Sequence, residues 1–221
     1  MEKELVLKQK QLFSKHIICP LDESKISLVA GVDLAYFQKQ DKEWAVCSIV
    51  VIDYKTHNVV EQVSLSSEVE MAYMPGFLAF REMPLFLKTN KLLKSKVDLY
   101  VFDGNGYLHP RHMGLATHAG IVLDKPSIGV AKTYYKIDNV SYIMPQDSEG
   151  AFTDIVINGD IYGRAVRTKK GVKPVFVSIG NKIDIDSATN IILNLVGLES
   201  HIPLPTRLAD NLTHSERNKL R

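Results

Sequence analysis

The stretch VDLYVFDGNG, residues 97–106, is the most informative part of this sequence for its fold. Residues 97–102 form a compact apolar run, which predicts a short β-strand of the parallel type. The polar turn Asp103-Gly104-Asn105-Gly106 follows that strand directly. Because ligand sites of open α/β sheets lie at the carboxyl ends of their strands, we expect Asp103 to stand where a ligand binds.

Upstream of this strand, the apolar spacing predicts a helix, then a series of strands, then a second helix. The predicted segments are a helix over 3–17 that ends before Pro20, strands at 27–35, 44–54 and 59–65, and a helical pattern from Pro75 to about residue 94. A polar turn at 55–58 joins the last two strands, which indicates an antiparallel sheet with Asp33 on its first strand. Glu82 lies on or beside the second helix, in which Pro84 either causes a kink or starts a new helix.

Downstream of the turn, helices and strands alternate. The predicted segments are a helix over 110–123, a strand at 127–131, a hairpin with the turn Asn158-Gly159, a strand at 174–179 and a helix over 186–196. From His201 onward the sequence predicts a charged tail interrupted by prolines. This order predicts an α/β fold, in which a mixed β-sheet is flanked by helices. The length of 221 residues and the hydrophobic content of 45% predict a single domain over 1–221.

The overall composition leaves the class of partner open. Lys and Arg number 27 and Asp and Glu number 25, so the net charge of +2 neither requires nor excludes a polyanion. Charges interrupt the N-terminal segment and no later apolar run is long enough for a bilayer, so we expect a cytoplasmic protein without a membrane partner. Cys19 and Cys47 are isolated and indicate neither a disulfide framework nor a thiolate zinc site.

Three acids follow or interrupt apolar runs, where a bare carboxylate is costly. They are Asp33, Glu82 and Asp103. A hard dication such as Mg²⁺ would stabilise them, because it accepts carboxylate oxygens and completes its shell with water and substrate phosphate. The alternative is that each acid caps a helix or pairs with a lysine.

Glycines and histidines near the turn allow more than one interpretation. Gly104 and Gly106 either cradle a phosphate or mark a turn. The imidazoles of His109, His112 and His118 are candidates for hydrogen bonds or phosphate contacts, and a zinc site is the weaker alternative.

Aromatic and basic residues add further candidates for contacts with a nucleic acid. The segment 73–76, Tyr-Met-Pro-Gly, places an aromatic side chain beside a rigid turn, which either packs locally or enters a duplex and holds a base out of the stack. Lys132 closes an apolar strand and is either a surface lysine or an ammonium that assists phosphate chemistry. Basic residues cluster at 88–96 and 167–173, where they form solvated faces or contact phosphates.

A series of ordered motifs makes this sequence similar to the endonuclease V family. They are GVD at 31–33, YMPGFLAFRE at 73–82, DGNG at 103–106, HPR at 109–111, GLATH at 114–118, SIGVAK at 127–132 and PTRLAD at 205–210. Chance is a poor explanation for motifs that keep this order over nearly the whole chain. The resemblance implies a ribonuclease-H-like fold and a nuclease that incises strands beside deaminated bases such as hypoxanthine.

The resemblance also implies roles for the acidic residues and one lysine. Asp33, Glu82 and Asp103 match the metal-binding carboxylates of the family, with Mg²⁺ as the expected ion and Mn²⁺ as a substitute. Asp210 matches a further site residue that is a histidine in some members. Lys132 matches a lysine that assists at the scissile phosphate.

Substrate-binding residues follow from the same resemblance. Tyr73, Met74 and Pro75 match the wedge that separates strands, although Ala72 stands here in place of a proline and Met74 in place of an aliphatic residue. The remaining matches would surround the flipped base or contact the substrate: Gly76, Leu78, Gly104, Gly114 and Leu115, with His109 and His118 as further contacts.

The reaction implied by the family is hydrolysis of the second phosphodiester bond 3′ to the lesion, which leaves 3′-hydroxyl and 5′-phosphate ends without a glycosylase step. The expected substrate is DNA with deaminated bases, or alternatively inosine RNA, and the chain is expected to act as a monomer. Two other functions stay open. One is a non-catalytic nucleic-acid-binding module with the same fold, and the other is an α/β phosphohydrolase that uses Asp103 as its nucleophile.

Overall fold

The structure, a computed structural model, describes residues 2–220 as one mixed β-sheet packed against helices. The strands are β1 (Leu28–Lys39), β2 (Lys42–Asp53), β3 (Val59–Glu68), β4 (Leu99–Asp103), β5 (Ser127–Ala131), β6 (Phe152–Ile157), β7 (Asp160–Val166) and β8 (Val175–Asn181). The helices are α1 (Glu2–Phe13), α2 (Leu78–Asn90), α3 (Leu115–Leu123), α4 (Ile185–Asn194) and α5 (Leu204–Leu220). No helix between residues 2 and 220 is long and apolar enough to cross a membrane.

The central strands of the sheet run in the same direction. The strand order is β3-β2-β1-β4-β5-β8-β7-β6. β1 pairs antiparallel with β2 and parallel with β4, β4 pairs parallel with β5, and β8 pairs antiparallel with β5. β4 and β5 therefore end at the same edge of the sheet, beside the middle of β1, which continues to Lys39 in its pairing with β2. The predicted mixed α/β architecture is confirmed.

β4 is buried on both of its faces. Leu99 and Val101 belong to a core cluster with residues of α4 and α5, whereas Tyr100 and Phe102 belong to a second cluster with residues of α2 and α3. Because successive side chains of a strand point to opposite faces, this alternation places helices on both sides of the sheet. It explains why residues 99–102 form an uninterrupted apolar run in the sequence.

Most of the predicted elements are confirmed, with shifts at their ends. The predicted hairpin turn joins β6 to β7, and Asn158 and Gly159 both have positive φ angles, 52° and 89°, as a type I′ turn requires. The first helix ends at Phe13 rather than at residue 17. The helix predicted from residue 110 begins only at Leu115, because Gly114 is extended. Pro84 lies inside α2, which remains one helix.

The prediction of a proline-interrupted tail from His201 is wrong, since residues 204–220 form the helix α5. Pro205 lies in the first turn of this helix, where a missing backbone N–H breaks no helical hydrogen bond. Apolar residues recur every four positions and pack against the core: Leu204, Leu208 and Leu212.

Gly31 lets α5 approach the sheet closely. A Cβ added at Gly31 would lie 2.1 Å from the carbonyl group of Pro205, so a larger residue would push the helix away from β1. The helix then packs along β1 and β2. This packing brings Asp210 to the edge of the sheet where β4 and β5 end.

Candidate active site

Asp33 and Asp103 lie at neighbouring positions on two parallel strands. In the pairing of β1 with β4, Val32 is opposite Phe102, and the two aspartates are the next residues of their strands. Both carboxylates therefore lie where β4 ends, Asp103 as its last residue and Asp33 in the middle of the longer β1. Ligands of open α/β sheets bind at the carboxyl ends of such strands. Asp33 is 9% exposed, so it is largely removed from water.

Glu82 reaches the same place from the buried side of α2. Its carboxylate oxygen Oε1 accepts a hydrogen bond of 2.9 Å from the hydroxyl of Tyr36 on β1. Burial nevertheless raises the pKa of Glu82 to about 7, and the negative charge of Asp33 adds to that shift. Burial also raises the pKa of Asp33 to about 7, with further contributions from the charges of Asp103 and Asp210.

Lys132 stands between two of the acids at the end of β5. Its ammonium nitrogen is 2.7 Å from Oδ2 of Asp103 and 2.9 Å from Oδ2 of Asp210. Partial burial lowers the pKa of Lys132, but the hydrogen bonds to the two carboxylates outweigh it and the net shift is upward. The other carboxylate oxygen of Asp210 lies 3.0 Å from Nε2 of His214, one helical turn along α5.

Asp33, Glu82, Asp103 and Asp210 form what we call the carboxylate cluster. It provides only oxygen donors, and the raised pKa values of Asp33 and Glu82 show that its charges are poorly compensated. A hard divalent cation fits this chemistry, since it would bind carboxylate oxygens and neutralise the excess charge. Between residues 2 and 220, no group of three acidic, histidine or cysteine side chains is already arranged to ligate a metal ion.

A cavity of about 160 Å³, called here the turn cavity, opens beside the carboxylate cluster. Its walls include the predicted residues Tyr73, Gly76, Leu78, Gly104, His109, Gly114 and Leu115. Glu82 and Asp103 line it as well. This volume lies below the roughly 300–1,000 Å³ of pockets for drug-sized ligands, so the cavity has the scale of a single ring system.

Several residues of the turn cavity are missing from the sequence-based prediction. They are Ala79, Asn105, Met113 and Tyr135. Asn105 was detectable, since it lies between the two glycines of the turn, whereas no signal in the sequence points to Tyr135. In the described chain, residues 2–220, the side-chain oxygen of Asn105 is buried and has no hydrogen-bond partner. It is therefore an acceptor in need of a donor.

Glycines form the wall of the turn cavity on the side of α3. A Cβ added at Gly114 would lie 2.3 Å from the carbonyl oxygen of Asn105, and the N–H of Gly114 donates to the carbonyl of Gly106. Gly104 has a φ angle of +151°, which side-chain-bearing residues rarely adopt. This wall can thus present backbone groups to a ligand.

The segment 73–77, called here the Tyr73 loop, is held firmly at Gly76. The carbonyl oxygen of Gly76 accepts hydrogen bonds from Nε2 of Gln9 at 3.0 Å and from Nη2 of Arg111 at 2.7 Å. Nε2 of His109 lies 3.1 Å from the same oxygen. The side chain of Tyr73 stays in solvent, with 61% of the residue exposed.

His109 is a neutral imidazole in this arrangement. Its Nδ1 accepts hydrogen bonds from the backbone N–H groups of Arg111 and Met113, so its proton lies on Nε2 and points to Gly76. Burial lowers the pKa of His109 to about 4, and the charge of Arg111 contributes. His109 therefore supports the cavity wall as a hydrogen-bond donor at neutral pH.

Three other predicted substrate contacts do not line the turn cavity: Met74, Pro75 and His118. The ring of His118 packs edge-on against Phe80 at 5.0 Å, and burial lowers its pKa to about 4. His112 stacks instead on Tyr107, with ring centroids 3.9 Å apart. The three imidazoles that raised the alternative of zinc thus have separate surroundings.

Comparison with known proteins identifies relatives over nearly the whole chain. A profile described as Endonuclease V matches residues 10–211. The endonuclease V of Clostridium acetobutylicum is 53% identical over 204 residues, which are 92% of this chain and 87% of that protein. The crystal structure of the Bacillus subtilis endonuclease V superposes with a TM-score of 0.96 at 45% identity, and covers 99% of this chain and 93% of that one.

A more distant structure contains a nucleic acid. It is the endonuclease V of Ciona intestinalis in complex with a 24mer DNA containing an inosine followed by a ribo-adenosine. It superposes with a TM-score of 0.87 at 27% identity and covers 99% of this chain and 98% of that chain. These likenesses confirm the predicted ribonuclease-H-like fold, a mixed sheet flanked by helices.

Proposed function

The chain belongs to the endonuclease V family and is thus an endonuclease acting on DNA, and we propose that it cuts beside deaminated bases such as hypoxanthine. The cut falls at the second phosphodiester bond 3′ to the lesion and leaves 3′-hydroxyl and 5′-phosphate ends. The observation that carries this proposal is that the turn cavity and the carboxylate cluster share a wall, formed by Glu82 and Asp103. A base held in the cavity keeps the phosphates of its own strand close to the acids.

The family implies a divalent metal cofactor, and Mg²⁺ suits this site, with Mn²⁺ as a substitute. Asp33, Asp103 and Glu82 would hold the ion, which when bound activates water and neutralises charge on the scissile phosphate. Asp210 supports this arrangement through Lys132, to which both Asp103 and Asp210 are paired.

Lys132 provides a positive charge at the site in addition to the charge of the metal ion. Its ammonium is held by Asp103 and Asp210, and 43% of its side chain remains exposed. It can therefore reach a phosphate oxygen while it stays beside the carboxylates. A fixed cation at this place stabilises negative charge that develops on the phosphate during hydrolysis.

Recognition of the base takes place through hydrogen bonds in the turn cavity. Hypoxanthine offers a ring N–H where adenine has only an acceptor. A turn of the Asn105 side chain brings its buried, unpartnered oxygen into the cavity to accept that N–H, and backbone groups near Gly104 and Gly114 complete the contacts. Adenine in the same position would leave a buried acceptor unpaired, which rejects the wrong base.

Tyr73 acts as a wedge while the base is out of the stack. An exposed aromatic side chain on an anchored loop can fill the gap that a flipped base leaves. The hydrogen bonds to the carbonyl of Gly76 stiffen the loop, although Ala72 stands in place of a proline. His109 helps to hold the loop, and Met74 and Pro75 shape it. His118 supports the packing of α2 on α3.

The direct test is cleavage of a labelled DNA strand with one inosine. We expect the wild-type protein to nick it once when Mg²⁺ is present, to stop when a chelator is added, and to leave the matched adenine strand intact. Asp103→Asn should bind the inosine strand and not cut it. Specific binding by the wild-type protein without a nick would instead favour a non-catalytic nucleic-acid-binding module.

The choice between DNA and RNA depends on contacts with the 2′-hydroxyl. We propose DNA as the main substrate and inosine RNA as a second one, in a cytoplasmic protein that acts as a monomer. Cleavage of matched inosine DNA and inosine RNA side by side measures that preference. All residues assigned above come from one chain, so activity per molecule should not depend on protein concentration.

A further inference from the structure

A second cavity, called here the β5–β8 cleft, lies on the other side of Lys132 from the turn cavity. Its volume is about 280 Å³, and it is lined by Lys132, Thr133, Tyr134, Tyr142, Lys173, Pro174 and Phe176. Of these residues, only Lys132 has a role in the proposed reaction. The cleft therefore adjoins the reaction centre without a function of its own.

The register of the sheet fixes where this cleft lies. Asp103 ends β4, Lys132 follows β5, and Lys173 and Pro174 precede β8, in which Phe176 is paired with Ala131. Neighbouring strands are about 5 Å apart, so roughly 10 Å separates β4 from β8. The turn cavity, the pair of Asp103 and Lys132, and the cleft thus form a row across the end of the sheet.

The lining of the cleft combines a free cation with aromatic rings. Lys173 is exposed, and in the chain from residue 2 to residue 220 it forms no ion pair, in contrast to Lys132. The ring of Tyr142 packs edge-on against Tyr134 at 5.2 Å and against Phe176 at 4.9 Å. An unpaired ammonium beside aromatic rings is the combination with which proteins hold a phosphate and the adjoining base or sugar of a single strand.

We propose that the β5–β8 cleft binds the nucleotide directly 3′ to the cut bond. Lys173 contacts its backbone phosphate, and Tyr142 packs against its base or sugar. This inference rests on the proposed function, because the lesion in the turn cavity and the acids beside it set the direction of the strand. Beyond the acids, the strand continues on the 3′ side of the cut. The cleft is therefore the site that holds the 5′-phosphate product.

Binding of two DNA strands with chelator present tests this proposal without cleavage. The long strand contains one inosine and continues well beyond the expected cut, whereas the short strand ends with a 3′-hydroxyl at that position. We expect the wild-type protein to bind the long strand more tightly. Lys173→Gln should weaken binding of the long strand about three- to tenfold and leave the short strand unchanged.

The salt dependence provides a second measurement on the same proteins. Loss of one phosphate contact should lower the slope of log affinity against log salt by about 0.7 for the long strand alone. The matched control is Lys55→Gln, which removes an exposed lysine from the turn between β2 and β3. That turn lies beside the amino end of β1, away from the site, so binding of both strands should stay as in the wild type.

Tyr142→Leu tests the aromatic part of the cleft, and thermal unfolding of this variant checks that its fold is intact. A folded variant should again lose affinity for the long strand only. Equal losses on both strands, or no loss for either variant, would overturn the cleft as a nucleotide site. If the wild-type protein nicks inosine DNA yet binds the two strands alike, only this inference falls. If it neither prefers inosine nor nicks, the proposed function falls with it.

Discussion

The carboxylate cluster and the Tyr73 loop with its supports lie at the same edge of the sheet but differ in their electrostatics. In the cluster, burial and like charges raise the pKa values of Asp33 and Glu82 to about 7. At the loop, the carbonyl of Gly76 is already surrounded by donors from Gln9, His109 and Arg111. The cluster thus has an excess of negative charge that a cation would offset, whereas the loop is organised before any ligand arrives.

The largest effect should come from removal of one carboxylate, which separates activity from stability. Asp33→Asn should lower cleavage of inosine DNA by at least about a thousandfold, because a neutral amide binds a hard cation poorly. The same change should stabilise the metal-free protein at pH 8 by a few kcal/mol, on the order expected from a carboxylate with a pKa raised to about 7. Nicking assays and denaturant unfolding with chelator measure the two effects. A metal-free variant less stable than the wild type would contradict the description of the cluster as under-compensated.

The pH dependence of stability should next distinguish the buried histidines from the carboxylate cluster. His109 and His118 have folded pKa values of about 4, below the ordinary 6.5, so the unfolded chain takes up protons first as the pH falls. Stability is thus lost from about pH 6.5 downward, by about 2 kcal/mol per histidine at pH 5. Asp33 and Glu82 act in the opposite direction, since their folded pKa values are raised and the metal-free protein loses stability as the pH rises toward about 7.

The two trends overlap between about pH 4.5 and pH 6.5 and offset each other in the metal-free protein. Unfolding curves between pH 4.5 and pH 8.5, with chelator or with Mg²⁺, separate them. Mg²⁺ should remove the contribution of the carboxylates, so that stability falls more steeply below pH 6.5 than it does with chelator. His118→Phe should make that fall smaller by the same amount with chelator and with Mg²⁺. An effect that differs between the two conditions would show that His118 and the carboxylate cluster are not electrostatically independent.

Asn105 links the two regions, because it lines the turn cavity next to Asp103. Asn105→Leu removes the acceptor for the ring N–H of hypoxanthine, so the preference for inosine over adenine should fall roughly tenfold. Cleavage of both strands under single-turnover conditions measures this preference. Asn105→Ser retains a neutral side-chain acceptor without a new charge beside Asp103 and is the matched control. If Asn105→Leu keeps the full preference, base recognition depends on the backbone alone.

The smallest effect should come from one of the supports of the Tyr73 loop. Gln9→Leu removes one donor from the carbonyl of Gly76 and also the acceptor of Nε of Arg111, whereas Nη2 of Arg111 and Nε2 of His109 remain beside that carbonyl. Loss of the donor to Gly76 is worth about 1 kcal/mol at the loop, so binding of inosine DNA should weaken roughly fivefold. Stabilisation of the protein by Mg²⁺ in the absence of DNA should not change. A change in that stabilisation would contradict the separation of loop and cluster.

Local sequence patterns were enough to predict the order of most elements, the strands that carry Asp33 and Asp103, and the helix of Glu82. These patterns include the apolar run at 97–102, the alternation of helices and strands, and the turn at Asn158-Gly159. They are local, because they depend only on residues that are close together in the sequence. The motifs around Asp33, Glu82 and Asp103 also identified the family.

Contacts between residues that are far apart in the sequence could be identified only in the folded structure. Prolines at the start of α5 concealed that helix, so the contact of Asp210 with Lys132 had no local signal. The same holds for Gln9, which reaches Gly76 across 67 positions of the chain, and for Lys173 beside Lys132. Such contacts depend on the packing of helices on the sheet and on strand register. Neither of these can be predicted from the periodicity of the sequence.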